Sequence, residues 1–345
     1  MSKLRILITS PLAPADVERI RQVAPDRLEV IYEPDLLPRT RYVADHVGRP
    51  FTRTPEQERR WIAALASADI FWDLPRRPGD LAVSKRLKWI RTTSTGVGQM
   101  VQALGLDKSD IVVTTARGVH AGPLAEFAFM ALLIHWRGLA HLQAEQQQRH
   151  WTRYCGEEVA GRRIVVVGAG DLARGIAQRA RAFELHVTAI GRTAGKERSH
   201  DGLFDEIKSR EGLHAALAQA DATIVTVPHT SETERMIAGA AFAAMKKNSV
   251  FINIARGQVV DEPALVEALR CGHLGFAALD VATVEPLPQD SPLWTLPNVL
   301  ISPHSASTVA SENAKITEIF CWNLRCWLDG RFDAMRNVFD KRVLY

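Results

Sequence analysis

Val165-Val166-Val167-Gly168-Ala169-Gly170-Asp171-Leu172-Ala173-Arg174 decides the fold of this chain. A short β-branched run leads straight into Gly-x-Gly-x-x-Ala. The apolar residues that follow, Ile176, Ala177, Ala180 and Phe183, recur at helical spacing. Strand, tight turn and helix in that order are the setting of a dinucleotide-binding fingerprint. Gly168 permits the turn, Gly170 lets the backbone approach a pyrophosphate, and Ala173 lets the helix lie close to the strand. Phosphates would sit at the helix N-terminus, beside Leu172, where unbonded N–H groups and the helix dipole favour negative charge. Asp171 lies in the same turn. Facing the phosphates it would repel them, so it is expected to turn away and cap the helix.

On both sides of this stretch strand-like runs alternate with helical patterns, which calls for an α/β fold with parallel sheets. Leu4–Ile8, Ala68–Phe71, Trp89–Thr92 and Ile111–Thr114 form one series. Arg163–Val167, Val187–Ile190, Thr223–Val227, Val250–Ile254, Gly275–Leu279 and Val299–Ile301 form a second. Between them, Gly122 to Arg149 reads as one long helix or two abutting ones, and Asn313 to Leu328 reads as a closing helix. At about 100–200 residues per domain, a chain of 345 residues holds two domains.

Composition narrows the partners. With 46% hydrophobic and 24% charged residues the chain is globular. Its net charge of +4 is small and its basic residues are scattered, so no nucleic acid is expected. The longest apolar run, Phe127 to Ile134, is far too short to span a membrane. The N-terminus has no signal-peptide anatomy. Cys155, Cys271, Cys321 and Cys326 show no metal-ligand spacing, which fits a metal-free, reduced, cytoplasmic enzyme.

Several segments past the fingerprint place reactive side chains just beyond a strand. Asn253-Ile254-Ala255-Arg256-Gly257 offers an arginine, Leu279-Asp280-Val281 a carboxylate, and Pro303-His304-Ser305 a histidine. Glu285-Pro286 lies in the loop between the last two strands. Ligands of open α/β sheets bind outside the carboxyl ends of the strands, where these residues map. Arginine grips a carboxylate bidentately. Histidine exchanges a proton near neutral pH. A carboxylate such as Glu285 can hold that imidazole in one tautomer. Together they are the set that hydride chemistry on a 2-oxo acid requires.

The motifs resemble, over essentially the whole chain, the D-isomer-specific 2-hydroxyacid dehydrogenase family. The resemblance runs through Leu87 to Ile90 with Thr95-Gly96-Val97, then Val119-His120 with Ala125-Glu126, then the fingerprint. It continues through Val227-Pro228-His229-Thr230 with Thr233, Asn253 to Gly257, Leu279 to Val281, Glu285-Pro286 and Pro303 to Ser307. It ends with Asn323-Leu324 to Gly330 and Arg336 to Val338. It implies two Rossmann/flavodoxin-like domains, with a nucleotide domain (118–308) inserted into a substrate domain (1–117 and 309–345). It implies that Arg256 binds and polarises the substrate, that His304 is the acid/base, and that Glu285 orients it. It places Asp280 at the nicotinamide, and Val227, Pro228, Thr233, Ile254 and Ser305 around the cofactor. Backbone N–H groups at Gly96, Val97 and Gly98 are implied to help hold the substrate carboxylate. The apolar first half of the 122–149 region is implied to build a two-fold homodimer.

The second strand of the nucleotide domain ends Gly191-Arg192-Thr193, with no acid where NAD-specific sites place one on the ribose. A guanidinium at Arg192, with Thr193 as a second donor, suits the 2′-phosphate of NADP. Stacking of Arg192 on adenine would leave NAD usable. The chain thus reads as an NAD(P)H-dependent reductase of small 2-oxo acids such as glyoxylate or hydroxypyruvate. The alternative is a nucleotide-sensing binding protein that keeps the fold. Trp72 and Trp151 to Tyr154 are either substrate-lining or packing aromatics.

Overall fold

The computed structural model describes residues 3–75, 77–192 and 202–342. The chain forms two compact units, one of residues 1–119 with 308–345 and the other of residues 120–307.

The first unit holds five strands: β1 (Leu4–Ile8), β2 (Leu28–Ile31), β3 (Ile70–Trp72), β4 (Trp89–Arg91) and β5 (Val112–Thr114). They pair in parallel in the order β2-β1-β3-β4-β5. This is a doubly wound order with its switch point between β1 and β3. The strands are short and apolar because helices cover both faces. The closing helix, Glu312–Leu328, returns to this unit and buries Ile316, Phe320 and Leu324 in its core. Trp72 is fully buried, edge-on to Phe320 at 5.3 Å, so it is a packing aromatic and not a lining one. Trp151, by contrast, is 99% exposed.

A long irregular segment, 37–54, connects β2 to the helix Pro55–Ser67 and is organised by one carboxylate. The buried Asp45 accepts bonds from the Arg41 backbone N–H (2.9 Å) and guanidinium (2.8 and 2.9 Å). It also accepts from the N–H groups of Val47 and Gly48, each at 3.0 Å. These donors hold its carboxyl well below the usual carboxylate range.

The second unit holds seven strands: β6 (Arg163–Val167), β7 (His186–Ile190), β8 (Glu206–Lys208), β9 (Ala222–Val225), β10 (Ser249–Asn253), β11 (Leu274–Leu279) and β12 (Val299–Ile301). Their order is β12-β11-β10-β9-β6-β7-β8, all parallel. The chain reverses its direction of spread between β6 and β9, the switch point at which nucleotides bind in such sheets. The 122–149 region is two helices, Ala121–Trp136 and Leu139–Gln148, separated at Gly138 (φ 66°). Two parallel α/β sheets, the second inserted in the first, are the fold class the sequence calls for. Among the described residues no helix is long and apolar enough to cross a membrane.

Candidate active site

The nucleotide end of the second unit begins where β6 stops. Gly168 has φ 125°, and a Cβ there would collide with the Thr226 hydroxyl, so only glycine fits. That hydroxyl is itself fixed, donating to the Val167 carbonyl at 2.9 Å. The helix Asp171–Ala182 starts directly after the turn, with Gly170 as its N-cap. The expectation that Asp171 caps this helix is corrected: the cap position falls on Gly170, which has no side chain, and Asp171 is the first helical residue. An acid in the first turn still suits the helix dipole. With no side-chain cap, the N–H groups of Leu172 and Ala173 are suited to phosphate oxygens. Leu172 is half-buried and Ala173 is fully buried, as close helix–sheet packing requires.

Val227 and Pro228 follow β9, on the other side of the switch point. Thr233 fastens their loop, accepting from the Thr230 N–H (2.8 Å) and donating to the Pro228 carbonyl (2.6 Å). Arg192 is exposed just past β7, and the preceding Gly191 N–H donates to the Lys208 carbonyl at 2.8 Å. Thr193 lies outside the described residues.

Past β10 the chain turns sharply. Asn253 staples the turn, accepting from the Ala255 N–H and donating to the Arg256 carbonyl, each at 3.1 Å. Gly257 follows because a Cβ there would overlap the Ala282 carbonyl. Ile254 is buried and Arg256 half-buried. One Arg256 nitrogen donates to the Ala255 carbonyl at 2.7 Å, and among the described residues no carboxylate pairs with it. A half-buried guanidinium without an acid partner is suited to an anionic ligand.

Beyond β11 and β12 lie the remaining groups. Glu285 Oε2 faces His304 Nδ1 at 2.8 Å, while Glu285 Oε1 accepts from the Ala282 N–H at 3.1 Å. A carboxylate accepts only, so Nδ1 carries the proton and Nε2 is left for a ligand. Asp280 is only 2% exposed. Its Oδ1 accepts from the Ser302 hydroxyl (2.7 Å) and from the N–H groups of Ser305 and Ala306 (2.8 Å each). The sequence placed Asp280 at this edge without revealing these bonds; Ser302, directly before Pro303-His304, was the unread signal. Gly96 and Val97 belong to the first unit, where exposed Gly96 precedes buried Val97, the N-cap of the helix Gly98–Ala103.

Residues 129–306 match the model of the NAD binding domain of the D-isomer specific 2-hydroxyacid dehydrogenases. The chain belongs to that family. It is 31% identical to the glyoxylate reductase of Thermococcus gammatolerans over 245 residues, 66% of this chain and 72% of that relative. It is 36% identical to the D-3-phosphoglycerate dehydrogenase of Mycobacterium leprae over 240 residues, 66% of this chain, but spans only 44% of that relative's length. A crystal structure of a D-isomer specific 2-hydroxyacid dehydrogenase from Xanthobacter autotrophicus, in complex with NADPH and MES, superposes with a TM-score of 0.74. It has 26% identity and covers 100% of both chains. The second unit of this dehydrogenase-family chain therefore carries the NAD binding domain. The glycine-only turn at Gly168 and the uncapped helix start at Gly170 fit a dinucleotide.

Proposed function

We propose that this chain reduces small 2-oxo acids, such as glyoxylate or hydroxypyruvate, to D-2-hydroxy acids, preferring NADPH to NADH. The observation that carries the reading is the 2.8 Å contact of His304 Nδ1 with Glu285 at the sheet edge that also bears the dinucleotide turn. When bound, the reduced nicotinamide supplies the hydride. Arg256 grips the substrate carboxylate and polarises the adjacent carbonyl. His304, as the imidazolium with Nδ1–H on Glu285 and a second proton on Nε2, gives the Nε2 proton to the carbonyl oxygen as the carbon gains hydride, and Glu285 stabilises the orientation that aims Nε2. Asp280 and the residues around Val227, Thr233 and Ser305 line the cofactor, and Arg192 meets the 2′-phosphate. Following the loss of reduced nicotinamide absorbance with a panel of 2-oxo acids tests the reading. Turnover of none of them, with nucleotide binding intact, would leave only a nucleotide-binding role.

The assembly proposed is a homodimer in the cytoplasm. An apolar groove of about 610 Å³ runs between the helices Ala121–Trp136, Leu139–Gln148 and Asp171–Ala182. Met130, Leu139 and Leu142 are 44%, 38% and 44% exposed along it. Such a patch supports burial against a second copy.

A further inference from the structure

His304 has φ 53°, in the left-handed region that a β-carbon disfavours. A residue stays there only where its surroundings impose it. Here the surroundings centre on Asp280, although the His304 N–H also reaches the Ser302 carbonyl at 2.9 Å. The His304 N–H donates to the Asp280 carbonyl at 2.8 Å. The Asp280 side chain takes up both flanks of the histidine: the Ser302 hydroxyl on one side at 2.7 Å, and the Ser305 and Ala306 N–H groups on the other at 2.8 Å. Asp280 is 2% exposed, so water competes poorly for these charge-assisted bonds.

We propose that Asp280 and Ser302 form a positioning device for His304. The proposal rests on the reading of His304 as the proton donor. Two constraints then act on the imidazole. The Asp280 hub fixes the backbone and hence the direction of the Cα–Cβ bond. Glu285 fixes the rotation of the ring through Nδ1. Neither suffices alone: a ring held by Glu285 on a slack backbone still moves its Nε2. Of the four donors converging on Asp280, the Ser302 hydroxyl is the one supplied by a side chain, so it can be deleted without altering the main chain.

The test compares Ser302→Ala, which removes that donor, with Ser302→Thr, which keeps it. With NADPH and glyoxylate, Ser302→Ala is expected to lower kcat about 10- to 100-fold, the range a misplacement of about 1 Å produces. KM for NADPH stays near the wild-type value. The solvent deuterium isotope effect on kcat rises, because proton delivery from a misaimed imidazole becomes more limiting. Ser302→Thr restores both. A second readout needs no turnover. In substrate-free protein, the nitrogen-15 imidazole spectrum of Ser302→Ala should show a weakened Nδ1–H resonance for His304, recovered in Ser302→Thr. Wild-type kcat and an unchanged imidazole signal in Ser302→Ala would overturn the proposal, as would equal impairment of the alanine and threonine variants. If the wild type reduces no 2-oxo acid, the functional reading fails, and the imidazole spectra alone decide the positioning role.

Discussion

At the scale of single residues, His304 and Arg256 divide the proposed chemistry between proton delivery and anion binding, and each makes a separable prediction. His304→Asn retains a polar side chain but no proton donor of suitable acidity. It is expected to lower turnover roughly 10²–10⁴-fold with little change in cofactor affinity. Near-normal turnover in a steady-state assay would remove His304 from the mechanism. Arg256→Lys keeps the charge and loses the planar fork, so KM for the oxo acid should rise and kcat should fall together. An effect confined to one substrate of several would make Arg256 a specificity residue. Arg192→Ala should weaken NADPH binding by about 10- to 150-fold, the value of a charge-assisted bond of about 1.5–3 kcal/mol, and leave NADH nearly unchanged. Titration calorimetry with both nucleotides decides this. Equal loss for both nucleotides would mean that Arg192 lies against the adenine. The placement of Arg256, Asp280 and His304 at the sheet edge was legible because each lies within three residues of a strand's end. Glu285 was read as a carboxylate able to hold the imidazole, and the resemblance singled it out as the partner of His304, since nothing local joins residues 19 apart. The Asp280 hub stayed hidden for the same reason: its bonds reach 22 to 26 residues along the chain.

At the scale of elements, the strands buried on both faces were the easiest to read. Ile164 to Val167 and Val250 to Ile252 are continuous apolar runs, as the interior of a parallel sheet demands. β2 and β8 escaped because they are edge strands of four and three residues, with Glu29, Glu206 and Lys208 in place of apolar side chains. Pairing to one neighbour, rather than hydrophobicity, defines them. The break at Gly138 was ambiguous in sequence, since glycine is tolerated in helices as well as ending them. The segment 37–54 has no periodicity to read, and its order depends on Asp45. Asp45→Ala leaves the Val47 and Gly48 N–H groups and the Arg41 guanidinium without their acceptor. A loss of about 2–4 kcal/mol in unfolding free energy is expected. Denaturant titration showing less than about 0.5 kcal/mol, the ordinary scatter of surface substitutions, would contradict it. The pH dependence has a definite sign. The folded-state pKa of Asp45 is depressed, so its stabilisation is fully present above the unfolded-state value of about 3.9 and fades as pH falls below it. The stability gap between wild type and Asp45→Asn should therefore stay constant above about pH 5 and narrow progressively as pH falls below about 4.

At the scale of the whole molecule, the two sheets and the return of the closing helix give the chain its two units, and the apolar groove on the second unit is the surface proposed for a second copy. Met130→Asp places a charge on that groove at a residue already 44% exposed, so the fold should persist while association is lost. Light scattering at micromolar concentration should report a dimer for the wild type and a monomer for the variant; a wild-type monomer would end the dimer proposal. The two α/β series were readable from the alternation of strands and helices, whereas the insertion of one domain in the other and the return of the closing helix came only through the resemblance. The identity of the proposed substrate was not readable, because no motif in the sequence reports on its side chain. The most direct measurement is the initial rate of NADPH consumption by purified protein with glyoxylate and with hydroxypyruvate, repeated with NADH and with His304→Asn. The expected result is turnover of at least one of these acids, faster with NADPH than with NADH, that His304→Asn abolishes. Undiminished turnover in His304→Asn, or no turnover of either acid by a wild type that still binds NADPH, would contradict it.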